Sequence, residues 1–139
     1  MREFTDSKRR LWNISITLGT AKRVKELVGV DVINPSSITD DGTEVIQRLL
    51  NDDLFVGQVC AALMDNQKPP LDEFDGATIR EMERAFWQEY RFFFAERGKQ
   101  YLAKAIELDL EQKNKKEAEA TEKLRSAGAT SANSQEEQA

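Results

Sequence analysis

The chain has no histidine and one cysteine among its 139 residues. The first absence removes the commonest general base and the commonest zinc ligand. A Ser-His-Asp or Cys-His mechanism is thereby excluded within this chain. With Cys60 alone, no disulfide can form within the chain, and a reduced, cytoplasmic setting is expected. Val59, Ala61, Ala62 and Leu63 surround that cysteine, which reads as a small buried apolar side chain. No apolar run approaches the ~20 residues of a membrane-spanning helix, so no membrane partner is expected. No apolar leader segment opens the chain, so the Asn13-Ile14-Ser15 sequon is read as chance. Glycine-rich phosphate loops and CxxC pairs are missing as well. An enzyme is therefore not expected, and neither is a cofactor or a metal.

What the chain does have is charge, unevenly spread. Residues 1–30 carry seven Lys/Arg against three Asp/Glu, and residues 31–97 carry six against fourteen. Residues 98–139 are nearly balanced, and the whole chain stands at −5. Phosphate contacts need clustered cations, so the acidic middle makes nucleic acid an unlikely partner on composition. Only Lys8, Arg9, Arg10, Lys22, Arg23 and Lys25 form a basic set. Solvated surface charge explains that set more simply than a binding patch.

Read in order, residues 2–16 form a β-hairpin, with Asp6-Ser7-Lys8 in the turn and Trp12, Ile14 and Ile16 alternating onto one face. Thr17 caps a helix over about 18–28, which Gly29 ends. Its apolar stripe is Leu18, Ala21, Val24, Leu27 and Val28, with Lys22, Arg23 and Lys25 toward solvent. Val30 to Ile33 reads as a short extended piece. A helix over about 44–50 opens after Asp40-Asp41-Gly42-Thr43, and another follows over about 54–66. In the latter Leu54, Phe55, Val59, Ala62 and Leu63 are expected inside. Pro69-Pro70 enforces an extended link, and Asp72 and Asp75 stand where caps are needed. The carboxylate pairs at 40–41, 52–53 and 72…75 are all read as capping groups rather than catalytic ones.

Ala77 to Phe94, ATIREMERAFWQEYRFFF, is the central helix, extending over about 77–96. At ~100° per residue Phe86 shares a face with Ile79, Met82, Tyr90 and Phe93. Trp87 and Phe94 fall on its flank and Phe92 nearly opposite. A helix over about 99–110 follows the weak point at Arg97-Gly98. Residues 111–125 read as a solvated helical extension and 126–139 as a disordered tail. The expected fold is α+β, mainly α: a hairpin packed on four to five helices, with a long C-terminal helix and a globular domain over 1–110. Rings on several sides of one helix need cover on several sides. Either neighbouring helices of the same chain bracket these rings, or a partner covers them, and each reading can hold for different members; Trp87, Tyr90, Phe92, Phe94 and Tyr101 are the candidate partner-binding residues, since aromatic side chains are enriched at binding hot spots.

The segments WNISI, TLGTAKRVKELVGVDVI, LFVGQVCAALMDNQ and FDGATIREMERAFWQEYRFFF together resemble a group of small proteins of tailed-bacteriophage and prophage gene clusters. The residues that carry the resemblance include Ala21, Arg23, Val24, Leu27, Gly29, Val30, Asp31, Gln67, Phe74, Gly76, Ile79, Ala85, Glu89, Phe92 and Phe93. It spans about residues 4–102 and leaves out the tail. Such proteins are commonly tail assembly chaperones. The resemblance implies a non-catalytic protein that binds the tape measure protein, the tail tube protein or both, and homo-oligomers are compatible with it. A connector-type structural virion protein, and a regulatory adaptor that touches nucleic acid through the basic set, are the alternatives.

Overall fold

The computed structural model describes residues 1–64 and 69–138, with side chains through residue 127. Its order is β1 (Arg2–Thr5), β2 (Leu11–Ile14), α1 (Leu18–Val28), α2 (Val45–Asn51), α3 (Asp53–Leu63), a single 3-10 turn (Leu71–Glu73), α4 (Gly76–Glu96) and α5 (Gln100–Gln138). The expected class is what forms: a mainly helical chain with an N-terminal antiparallel hairpin and a long C-terminal helix. It divides into two compact units, Met1–Ile106 and Glu107–Ala139.

The hairpin pairs Arg2 with Ile14 and Thr5 with Leu11. Its turn is built around the Asp6 carboxylate. That group accepts the backbone N–H of Lys8 and of Arg10, each at 2.9 Å. It also accepts Arg10 Nε at 2.6 Å and Trp12 Nε1 at 3.0 Å. Trp12, Ile14 and Ile16 are all buried, as their alternation required. Phe4 and Trp12 set their rings edge-on to Phe74, which seals the hairpin against the link before α4.

α1 begins at a reciprocal cap, in which the Thr20 N–H donates to Thr17 Oγ1 and the Thr17 N–H to Thr20 Oγ1. It ends at Gly29, whose φ of 83° is left-handed. Thr20, Ala21 and Val24 are buried. Leu18 and Leu27, expected inside, are 69% and 70% exposed. Leu18 lies ~120° around the helix from Val24, and Leu27 sits at the edge of the stripe in the last turn. Arg23, expected in solvent, instead donates from its guanidinium to the carbonyls of Ala62 and Met64 at the end of α3. Val30–Ile33 is irregular, with a turn at Val32 and Ile33, rather than an extended piece. Among the described residues no strand pairs with it, and the Val32 carbonyl is taken by the Tyr90 hydroxyl at 2.6 Å.

Asp40-Asp41 does not cap α2, whose N-terminal residue Glu44 makes no side-chain cap bond. Asp41 instead closes its own loop, accepting from Thr39 Oγ1 at 2.6 Å and from the Thr43 N–H at 3.0 Å. Asp52 does cap α3, accepting the Phe55 N–H at 3.1 Å. Leu54 is 82% exposed, against expectation. It points ~160° away from Val56, the middle of the buried face. The α3 end expected at residue 66, and Gln67 of the family-like pattern, lie outside the described residues. The turn at Leu71–Glu73 has no side-chain cap, so the capping role expected at Asp72 falls to Asp75 alone.

α4 starts at Asp75, which accepts the Thr78 N–H at 2.8 Å. It packs against β1, β2 and α3. Met82, Ala85, Phe86, Trp87, Glu89, Tyr90 and Phe94 are buried, an arc of ~200°. Ile79, expected on the core face, is 37% exposed in the first turn. Phe93 is half-buried, with the Arg97 guanidinium over its ring at 5.4 Å. Gly98, at a φ of 74°, separates α4 from α5. Ile106 of α5 is 2% exposed and completes the first unit. α5 runs on through Gln138, past the 99–110 helix and 111–125 extension and into the tail expected to be disordered. Its alanine, glutamate and lysine are strong helix formers, which accounts for helix without an apolar face.

Candidate partner-binding surface

The five candidate residues divide sharply. Trp87 is 7% exposed, and Tyr90 and Phe94 are not exposed at all. They form a chain of ring contacts: Phe86 stacks on Tyr90 at 5.2 Å, and Trp87 and Phe94 meet Tyr90 edge-on. The Tyr90 hydroxyl is spent on the Val32 carbonyl, and burial pushes its pKa up. These rings build the core, so the expectation that they face a partner is withdrawn for Trp87, Tyr90 and Phe94. Sheet and helices flank α4 on more sides than a helical wheel counts.

Phe92 and Tyr101 stay at the surface, 44% and 69% exposed. Phe92 lies just outside the buried arc of α4, on the side of β1. The Arg2 guanidinium of β1 sits over its ring at 5.5 Å. Beside it, the carboxylate of Glu89 is buried at 5% exposure. Glu89 Oε1 accepts from the Met1 amine at 3.1 Å, and Oε2 lies 3.9 Å from Arg2 Nε. Sequence reasoning missed Arg2 and Glu89. The signal was present: Glu89 falls ~60° from Phe86 on the wheel, inside the apolar arc, and a buried carboxylate needs cations. Leu108, also missed, is 49% exposed in the second unit.

The basic set is largely committed to internal partners. Lys8 and Arg10 pair with Glu73 at 3.2 and 2.9 Å. Lys22 lies 3.9 Å from Glu26, and Arg23 binds the two α3 carbonyls. The acidic loop is similarly engaged. Arg48 reaches Asp40 at 2.7 Å, Asp41 at 3.7 Å and Asp52 at 3.6 Å, and its guanidinium lies 4.3 Å above the Phe55 ring.

Burial alone would raise the Asp6 pKa, but the bonds from Trp12, Arg10 and Lys8 outweigh it and bring it from 3.8 to about 2. Hydrogen bonds from Thr39 and Thr43, with Arg48 nearby, hold Asp41 at about 2 as well. Burial pushes the Cys60 thiol up, away from the reactive thiolate. Among the described residues, no three His, Cys, Asp or Glu side chains gather closely enough to hold a metal ion. Among the same residues, no helix is long and apolar enough to cross a membrane. The arrangement offers apolar contact and backbone pairing. Comparison of the chain with protein-family models, curated proteins and solved structures finds no match.

Proposed function

We propose that this chain is a non-catalytic assembly chaperone of a phage tail, holding the tape measure protein, the tail tube protein or both before they assemble. The resemblance described above supplies the partner. The physical support is the exposed ring of Phe92, one of the residues that carry the resemblance, on a helix whose Phe86, Trp87, Tyr90 and Phe94 rings are buried. Tyr101 adds a second exposed ring beyond the Gly98 break. Exposed aromatics of this size are typical anchors for a partner. The net charge of −5 helps keep a complex with an apolar client in solution.

Co-expression with the tape measure and tube proteins of the same gene cluster tests the reading. Co-purification that weakens in Phe92→Ala with Tyr101→Ala, while the melting temperature holds, is the expected result. Absence of co-purification with both proteins overturns it.

A further inference from the structure

The hairpin has one used edge and one open edge. On β2, Ile14 bridges to Met64 and the Ser15 N–H reaches the Leu63 carbonyl at 3.5 Å. On β1, direction follows from register. The Asp6 N–H donates to the Arg10 carbonyl at 3.0 Å, so that pair faces inward. Alternation then turns Arg2 and Phe4 inward to Ile14 and Trp12. Glu3 and Thr5 must point their N–H and C=O groups the other way. Both residues are exposed, and no strand among the described residues pairs with that side.

We propose that this edge docks a single extended, cationic peptide segment of another protein as a third strand. α4 packs on β1, and Arg2 of β1 reaches over the Phe92 ring, so this flank of α4 lies near the strand. Phe92, with Arg2 over it, is the exposed part of that flank. Apolar side chains of the guest would face Phe92, and the alternate ones would stand beside Glu3 on the solvent face. Lysine or arginine suits those positions, because the exposed Glu3 carboxylate is the charged side chain of β1 on that face. The inference shares Phe92 with the chaperone reading but does not depend on the guest being a phage protein.

The test titrates isotope-labelled full-length protein with a synthetic peptide of alternating valine and lysine, followed by amide shifts and hydrogen exchange. Glu3 and Thr5 amides should shift and become protected, while those of Arg2 and Phe4 keep the protection they already have. The same peptide N-methylated at alternate residues should bind about tenfold more weakly or not at all. A valine–glutamate peptide should also lose affinity. Glu3→Pro removes the outward donor at a position where an edge strand tolerates proline, and should abolish protection at Thr5 with the Trp12 signals unchanged. Phe92→Ala should weaken binding severalfold without altering the fold. No response of Glu3 and Thr5 at millimolar peptide overturns the proposal, and so does equal binding by the N-methylated or anionic peptide. Concentration-dependent protection without peptide assigns the edge to a second copy, and overturns it too. A negative result here leaves co-purification with the tape measure protein to be judged separately.

Discussion

α4 and the part of α5 beyond Ile106 are both long helices, and they are helical for different reasons. α4 contains Phe86, Tyr90 and Phe94, all without exposure, and is covered by the hairpin and α3. Residues 114–127 of α5 are exposed throughout. The contacts along this stretch are local: Lys113 lies 3.7 Å from Glu117, and the Thr121 hydroxyl donates to the Glu117 carbonyl. α4 is covered by its neighbours, whereas residues 114–127 are exposed and joined by contacts along their own helix. Substitutions should therefore act cooperatively in the first and locally in the second.

The largest effect belongs to the centre of α4. Phe86→Ala removes a fully buried ring that touches Trp87 and Tyr90. It should cost about 3–5 kcal/mol, read from chemical denaturation followed by tryptophan fluorescence. Leu124→Ala, at 74% exposure, should stay within about 0.5 kcal/mol. Similar losses at the two sites would erase the distinction between the helices.

Acid should also strike the first unit, through the hairpin. The Asp6 pKa is lowered to about 2 in the fold, against the ordinary 3.8. A lowered carboxylate pKa stabilises the fold above about pH 4. That contribution disappears as pH falls from there toward 2. Asp41 acts in the same window and with the same sign. Asp6→Asn should flatten the stability profile between pH 4 and 2, and Asp6→Asn with Asp41→Asn should flatten it further. An unchanged slope in both variants would mean that the Asp6 and Asp41 bonds do not persist in solution.

Caps come next in size. Asp52→Ala leaves the Phe55 N–H without its acceptor, and Asp75→Ala does the same to Thr78. Each should cost about 1 kcal/mol in thermal or urea unfolding. Asp40→Ala is exposed and caps nothing, so it should cost less than either.

The caps also mark where the sequence could be read. Thr17, Asp52, Asp75, Gly29 and Gly98 act within a few residues of their own position, so local chemistry sufficed to place the helix ends. The alternation of Trp12, Ile14 and Ile16 was equally local. What failed depended on how many neighbours a helix has. A wheel places Trp87 and Phe94 on the flank of α4, but it cannot count the elements that cover the flank. Cover by the chain itself and cover by a partner therefore both stayed open for Trp87, Tyr90 and Phe94, which the fold buries. Leu18, Leu27 and Leu54 err in the other direction, since each belongs to an apolar-looking stripe wider than the face its helix buries. Asp40-Asp41 resembled a cap because a loop closed by Asp41 has the same composition as one. Phe92 and Tyr101 are exposed, while the open edge of β1 follows from hairpin register and could not be seen in composition.

The smallest expected effect probes α5 by itself. Ala120→Gly sits in an exposed stretch of helix with no core to answer to. Its cost is the intrinsic difference between alanine and glycine, about 1 kcal/mol, and it falls on the local helix–coil balance. Mean ellipticity should decrease and amides within a turn or two of residue 120 should exchange faster. The unfolding midpoint of the first unit, read from Trp12 and Trp87, should not move. A fall in that midpoint would mean that the polar helix contributes to the stability of the aromatic core, and that α5 is not supported by its own residues alone. Amides near residue 120 that exchange at unprotected rates before the substitution would remove the other half of the contrast, because there would be no local helix for glycine to weaken.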